Sequence, residues 1–365
     1  MASTKEDEKS MLDALFGFIS MMLDALFGFI SLGASVGKKD NETEPARNNG
    51  TEKTPTKLFC SACGKKSDTL KKCNGCLCVW YCDKDCQNKQ RKEHKKECKR
   101  IKKELDKRGG KLDVGTELDI GPLEKPPPRE ECPICMHVLP FHDNLLTYFS
   151  CCGKVFCCAC DHQHQIKSRG QVSCAFCRTA APRSDEEILE QLRKRAELKD
   201  PNALCNLAMK YGSGKNGLSV DQAKCIELLR QSAGLGYPTA HYKLATFHHF
   251  GEMGLEQNKK EELRYLEKAA KCGDIVGRHN LGCIKHENGN RTVAMQHWRL
   301  TASTGLKISI HALIGCFEKG LLHHGDLAET LQAYYLARAE LKSNGRDQYI
   351  KHLKNTGKYK EEYDC

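Results

Sequence analysis

Cysteine is the residue type with the clearest chemical potential in this sequence, because 23 of its 365 residues are cysteine and most are clustered. Seventeen lie between Cys60 and Cys177, where several form paired C-x-x-C turns. Each such turn can offer two thiolates to one ion, and zinc prefers four soft ligands in a tetrahedron. The first ten residues, MASTKEDEKS, lack the basic start of a secretory signal. Zinc in a reducing compartment, cytoplasmic or nuclear, is therefore favoured over a disulfide scaffold.

The first cysteine cluster supplies eight candidate zinc ligands, which is enough for two ions. Two C-x-x-C turns come first, and two pairs spaced i, i+4 follow, a spacing that places both members of a pair on one helix face. The candidate ligands are Cys60, Cys63, Cys73, Cys76, Cys82, Cys86, His94 and Cys98.

With Tyr81 directly before the fifth ligand, residues 57–108 closely resemble a MYND-type zinc finger. The resemblance implies that ligand pairs interleave. One ion would take Cys60, Cys63, Cys82 and Cys86, and the other would take Cys73, Cys76, His94 and Cys98. It also implies a module that binds short proline-containing peptides and performs no chemistry itself.

The second cysteine cluster again supplies eight candidate ligands, and residues 131–182 resemble a RING finger. In the segment CGKVFC, Lys154 stands where the commonest RING pattern has a histidine ligand, so we expect adjacent Cys151 to replace it. The resemblance then implies one ion on Cys132, Cys135, Cys157 and Cys160, and another on Cys151, Cys152, Cys174 and Cys177. His162 and His164 are reserve ligands. In total we expect four zinc ions, two in each finger.

Two residues of the RING-like finger bear on activity through this resemblance. An aliphatic residue in the first turn of active RING ligases contacts the ubiquitin-conjugating enzyme, and Ile134 fits that position. A basic residue after the last ligand restrains the ubiquitin thioester, and Arg178 fits that one. Ala175 stands where a proline often follows the seventh ligand, which counts against activity.

A repeated pattern of small residues and leucine fills residues 201–342. Ala203, Leu207 and Ala208 recur 37 residues later as Ala240, Leu244 and Ala245, and two weaker copies follow. The pattern resembles the Sel1-like repeats, relatives of the tetratricopeptide repeats, and implies an α-solenoid that binds other proteins. Helices that pack a core and bind no partner are the alternative. Because the repeats contain no ligand spacing, we expect them to fold without metal.

The remaining segments are a tail, two connections and a second tail. MLDALFGFIS occurs twice within residues 11–31, so residues 11–32 could form an amphipathic helix on a membrane or a partner, or an inert extension. The other segments are the rest of the polar tail at 1–56, a proline-rich linker at 109–130, a linking helix at 184–200 and a C-terminal tail at 343–365.

The net charge of +11 resides in one stretch, because residues 57–111 alone carry 18 basic and 7 acidic side chains. The basic run at 89–103 could be a nuclear-import signal, a phosphate-contacting surface or a solvated helix face. No aromatic residues are interleaved to stack on bases, so nucleic acid is not expected as a partner.

Together these patterns predict a multidomain chain of two small cross-braced zinc fingers, MYND-like and RING-like, followed by an all-α solenoid of helix-pair repeats. We expect a RING-type ubiquitin ligase that recruits substrates through its MYND finger and repeats, without catalytic residues of its own. The alternative is a non-enzymatic adaptor or scaffold that binds as yet unknown proteins. A SET-type methyltransferase or a ubiquitin protease is not favoured, since the corresponding motifs are missing.

Overall fold

The computed structural model describes residues 58–67, 69–110, 129–141, 145–168 and 172–359, which lie in one compact unit. The tail at 1–56 with its duplicated segment, and most of the linker at 109–130, lie outside the described residues. Within the described ranges the chain has four short strands and twelve helices.

The first finger is a small hairpin followed by a long helix. Strands β1 (Lys71–Lys72) and β2 (Trp80–Tyr81) pair antiparallel, with Lys71 opposite Tyr81. Helix α1 (Lys84–Lys107) begins after Asp83, whose carboxylate accepts a hydrogen bond from the Cys86 amide at 2.8 Å and so caps the helix.

The second finger repeats this plan with longer strands and a shorter helix. Strands β3 (Leu146–Phe149) and β4 (Lys154–Cys157) pair antiparallel, and helix α2 (Cys158–Lys167) follows at once. The tight turn between the strands contains Gly153 at φ +69°, where an added Cβ would lie 2.9 Å from a carboxylate oxygen of Asp200. Glycine is required there by both the backbone and the close approach.

Helix α3 (Asp185–Glu197) leads from the second finger into four helix pairs. Ser184 caps α3, its hydroxyl accepting a hydrogen bond from the Glu187 amide at 3.1 Å. The pairs are α4 (Pro201–Ser213) with α5 (Gln222–Gly234), α6 (Pro238–Phe250) with α7 (Lys259–Cys272), α8 (Ile275–Glu287) with α9 (Arg291–Ser303), and α10 (Lys307–Glu318) with α11 (His324–Glu340). Successive helices pack on each other, so the predicted finger-and-solenoid fold class is confirmed.

The helix boundaries of the first two pairs repeat at the 37-residue step found in the sequence. Pro201 and Pro238 each start a helix, where proline loses no helical hydrogen bond. Gly214 and Gly251 each end one in the left-handed conformation that glycine adopts freely. These two pairs share one hydrophobic cluster with α3, which includes Leu192.

The first finger shares a second hydrophobic cluster with the last two helix pairs. Val79 and Ile101 of the finger are fully buried together with Trp298, Leu313 and Leu331 of the solenoid. Helix α1 packs against α10, so the finger lies at the C-terminal end of the solenoid although it precedes the solenoid in the chain. From the sequence we expect the repeats to fold separately from the fingers, and this common core is not part of that expectation.

Residues predicted to be only a C-terminal tail form a further helix, α12 (Asn344–Asn355), capped by Ser343. It packs against α2 of the second finger, where Tyr349 contacts that finger's buried cluster and the His352 and His162 rings lie 4.4 Å apart. The tail prediction therefore needs correction over 344–355, because an amphipathic helix covers a finger surface there.

Candidate metal centres

Four of the five C-x-x-C segments in the two fingers have the same backbone form. In each, the residue after the second cysteine is left-handed, with φ between 58° and 72°, and its amide donates to the carbonyl of the first cysteine at 2.8 to 3.0 Å. These residues are Gly64, Leu77, Met136 and Arg178. Three of the four have a side chain, for which this conformation costs energy and persists only where the surrounding structure imposes it. The shared turn aims two thiols in one direction.

The structure gathers the predicted ligands into four groups, in each of which all ligand atoms lie within 4.8 Å of one another. The groups are Cys60, Cys63, Cys82 and Cys86; Cys73, Cys76, His94 and Cys98; Cys132, Cys135, Cys157 and Cys160; and Cys151, Cys152, Cys174 and Cys177. A tetrahedral zinc with Zn–S bonds of about 2.3 Å separates its sulfurs by about 3.8 Å. The Sγ–Sγ distances are 3.7 Å for Cys63–Cys82 and 3.8 Å for Cys152–Cys174, so the donor sets fit zinc.

The first group joins a turn to the start of α1. Cys82 directly follows β2 and Cys86 lies four residues on, in the first helical turn. Burial opposes ionisation of Cys60, but hydrogen bonds from the backbone at Cys82 and Cys63 prevail and lower the pKa of its thiol to about 7. A thiolate is the form that a metal binds.

The second group places its histidine between the metal position and the solenoid. His94 Nε2 lies 3.3 Å from Cys76 Sγ, whereas Nδ1 lies 3.1 Å from the Tyr335 hydroxyl on α11. Burial lowers the pKa of His94, but hydrogen bonds with Cys73 and Cys98 outweigh it and raise that pKa to about 9. Burial also raises the pKa of Tyr335, so its phenol stays neutral.

The third group spans the hairpin and helix of the second finger. Cys132 and Cys135 come from its first turn, Cys157 ends β4 and Cys160 lies in α2. The distances from Cys160 Sγ are 3.8 Å to Cys132 Sγ and 3.4 Å to Cys157 Sγ.

The fourth group contains the substitution expected from the sequence. Cys151 Sγ lies 3.4 Å from Cys177 Sγ, while Lys154 is exposed at the start of β4. The reserve ligands lie elsewhere: the His162 ring packs against Tyr349 and His352, and His164 Nε2 is 3.0 Å from the Ser173 hydroxyl. The structure therefore brings Cys151, and neither histidine, to this group.

Several residues behind the ligand groups were not predicted, because they lie far away in the chain. His324 Nε2 is 2.9 Å from the Cys76 carbonyl, and Arg195 donates to the carbonyls of Ser150 and Cys151, each at 3.1 Å. These contacts join α11 of the solenoid and the linking helix α3 to the loops that carry ligands. No local spacing signals them, since the contacting residues are more than 40 positions apart.

The two partner-contact candidates lie at the surface of the second finger. Ile134 is 38% exposed in the first turn, and the neighbouring apolar side chains Met136 and Phe176 are 70% and 45% exposed. Arg178 is also exposed, and its Nη1 lies 2.9 Å from His164 Nδ1. Met136 and Phe176 were missed by the sequence interpretation, although both lie within or next to C-x-x-C turns.

Family models match two parts of the chain. The MYND finger model matches residues 60–98, and the Sel1 repeat model matches residues 201–237 and 238–274. The chain therefore contains a MYND finger and two Sel1 repeats, both of them protein-interaction modules. Neither match covers the second cysteine cluster.

Relatives resemble the chain over limited regions. The histone-lysine N-methyltransferase ASHR1 of Arabidopsis thaliana is 42% identical over 57 residues, which are 15% of this chain and 12% of that protein. The chain thus spans about an eighth of this curated relative. A solved Sel1 repeat protein from Oxalobacter formigenes is 26% identical, with a TM-score of 0.33 over 34% of this chain and 96% of that one. A protective antigen of uropathogenic Escherichia coli is 17% identical, with a TM-score of 0.22 over 53% of this chain and 63% of that one.

Among the described helices, none combines the length and the apolar character needed to cross a membrane. Residues 11–32, for which membrane contact was considered, lie outside the described residues.

Proposed function

We propose that this chain, with its MYND finger and Sel1 repeats, is a zinc-stabilised adaptor that holds several protein-binding surfaces in fixed positions. The observation that carries the proposal is the common core of the first finger and the last two helix pairs, which includes Val79, Ile101 and Leu313. A finger on a flexible tether would sample many orientations. A finger packed on the solenoid presents its peptide-binding surface at a constant distance from the repeats, which is what an adaptor needs.

We further propose four zinc ions with the sixteen side chains of the four groups as ligands. Support comes from the tetrahedral spacing of the sulfurs and from the turn geometry shared by both fingers. When bound, zinc supplies cross-links that such thin cores could not replace by burial alone. Elemental analysis of the purified chain should give close to four equivalents. A stable value of two would mean that one finger binds no metal, and the second finger would be suspected first.

The adaptor proposal is tested by selecting ligands for the zinc-loaded chain from a displayed library of short peptides. We expect enrichment of proline-containing peptides that bind the MYND finger, and binding should be lost when zinc is removed. Simultaneous binding of a second ligand on the repeats would establish bridging. Failure to enrich any peptide, or enrichment that survives chelation, would contradict the proposal.

A second candidate function is a RING-type ubiquitin ligase, with substrates recruited by the MYND finger and repeats. It is favoured by one observation, the exposed apolar side chains Ile134, Met136 and Phe176 beside two turns of the second finger. A ligase of this type needs no nucleophile, because it orients a thioester carried by the conjugating enzyme. The family matches support the adaptor more directly, since they cover only interaction modules.

Ubiquitin transfer with a panel of conjugating enzymes separates the two functions. The ligase candidate predicts transfer by the wild type and its loss in Ile134→Ala and in Arg178→Ala, with unchanged zinc content because neither residue is a ligand. Inactivity with every enzyme, or transfer at the wild-type rate by Ile134→Ala, would reject the ligase candidate and leave the adaptor as the only proposed function.

A further inference from the structure

Helix α1 separates its glutamates from most of its cations. All three glutamates face the solenoid side or the helix end and are paired. Glu93 Oε1 lies 2.6 Å from Lys342 Nζ, and Glu97 Oε1 lies 3.0 Å from His311 Nε2. Glu104 pairs with Lys107 and Arg108 within α1 and the residue that follows it. The negative charge of these three glutamates is therefore already neutralised by contacts within the molecule.

The opposite side of α1 is a strip of exposed cations, here called the basic strip. It consists of Arg91, Lys92, Lys95, Lys96, Lys99, Lys102 and Lys103. Within the described part of the chain, none of these seven forms a salt bridge. Of the two aspartates of α1, Asp85 lies six residues before Arg91, whereas Asp106 follows Lys102 and Lys103 by four and three residues and offsets part of the charge at that end of the strip.

The like charges of the basic strip repel one another, and the packing of α1 on the solenoid opposes that repulsion. Arg91 and Lys95, Lys95 and Lys99, and Lys99 and Lys103 are each four residues apart, a spacing at which like charges destabilise a helix. The buried side of α1, including Ile101 and Leu105, packs into the core of the solenoid and keeps the helix formed. The molecule thus maintains a preformed row of positive charge that no salt bridge of the described residues neutralises.

We propose that the basic strip binds the phosphate backbone of a double-stranded nucleic acid without reading its sequence. From residue 91 to residue 103 the strip is about 18 Å long at 1.5 Å per residue. A DNA duplex presents about one phosphate per 1.7 Å of axis, so about ten phosphates lie within that length. Lysine and arginine are the side chains that make such positioning contacts.

The composition of the strip disfavours other partners. Protein interfaces are depleted in lysine, which makes up six of the seven residues. A membrane-inserting helix needs an exposed apolar face, but the apolar side of α1 is buried in the solenoid. The strip contains no aromatic residue, which excludes base stacking and underlies the expectation against nucleic acid drawn from the sequence. Contact with the backbone alone requires no stacking.

The test measures the anisotropy of two labelled 20-base-pair duplexes of unrelated sequence with the zinc-loaded chain between 50 and 200 mM salt. Both duplexes should bind equally, with Kd on the order of 1–100 µM, and binding should weaken steeply with salt. Lys92→Glu/Lys95→Glu/Lys99→Glu should weaken binding at least about tenfold, as three lost phosphate contacts imply. The matched control reverses the same number of exposed lysines on α7, Lys259, Lys260 and Lys271, and should bind within about twofold of wild type.

Zinc content and circular dichroism verify that both variants are folded. If the strip variant is not folded, Lys92→Gln/Lys95→Gln/Lys99→Gln replaces it. Three results would overturn the proposal: no binding of either duplex at 50 mM salt, equal loss in the α7 control, or tighter binding of phosphatidylserine vesicles or polyglutamate than of the duplexes. The last result would assign the strip to a membrane surface or an acidic protein.

Discussion

The Nδ1 atom of His94 in the first finger lies 3.1 Å from the hydroxyl of Tyr335 in helix α11, although 241 positions separate the two residues. Tyr335 is only 2% exposed, and the two rings meet edge to face with centroids 5.6 Å apart. If Nε2 binds zinc, the imidazole proton resides on Nδ1 and is donated to Tyr335. Partners of this kind fix the orientation of a ligating histidine. The solenoid thereby supplies a positioning residue to the finger.

Tyr335→Phe should therefore weaken zinc retention in the second ligand group. Loss of an outer partner typically costs about 10- to 100-fold in metal affinity. The measurement is the rate at which one zinc equivalent transfers to a chromogenic chelator, and we expect that rate to rise by a similar factor. Tyr334→Phe is the matched control, because Tyr334 is also buried but makes no hydrogen bond to a ligand. Equal rates in the two variants would show that the hydroxyl of Tyr335 has no role in zinc retention.

Cys151→Ser should remove one zinc ion, since Cys151 lies with Cys152, Cys174 and Cys177 in the fourth group. Cys158→Ser provides the control: its Sγ lies 3.2 Å from the Thr147 hydroxyl, outside the four groups, and zinc content should not change. Lys154→His should also leave the zinc content unchanged, because Cys151 already completes the group. Elemental analysis of the three variants measures their zinc content. A full zinc complement in Cys151→Ser would mean that another residue is the eighth ligand of the second finger.

Tyr148→Phe should loosen the second finger from the start of the solenoid. The Tyr148 hydroxyl donates to the Asp200 carboxylate at 2.7 Å, and hydrogen bonds to charged groups contribute about 1.5–3 kcal/mol. Asp200 would still cap α4 through its bonds from the amides of Asn202 and Ala203, so α4 itself should stay formed. Urea unfolding should show a loss of about 1.5–3 kcal/mol in the free energy of unfolding. An unchanged midpoint would mean that this contact does not couple the two parts.

Much of the local structure could be predicted from the sequence, because metal spacing and repeat periodicity are local signals. The 37-residue step anticipates the helix starts at Pro201 and Pro238, and the i, i+4 pairing of His94 and Cys98 anticipates α1. The replacement of the usual histidine by Cys151 could also be anticipated, since adjacent cysteines occupy nearly the same place.

The arrangement of the parts could not be predicted, because it depends on long-range contacts that leave no periodic trace. Nothing near His94 indicates Tyr335, and nothing near Tyr148 indicates Asp200. The segment after Lys342 has a short apolar face, but nothing near it in the sequence indicates that this face packs on α2 of the second finger. For the same reason, the sequence predicts a solenoid that folds without metal and gives no indication of the core that the solenoid shares with the first finger.

The central claim is that the first finger and the last two helix pairs form one zinc-dependent unit, and hydrogen exchange measures it most directly. Amide protection across the chain should be compared by mass spectrometry with and without a strong zinc chelator. We predict that α9, α10 and α11 lose protection together with α1, because Trp298, Leu313 and Leu331 share the core of the finger, while α4 to α7 keep most of theirs. Unchanged protection of α10 and α11 after complete zinc removal would contradict the account.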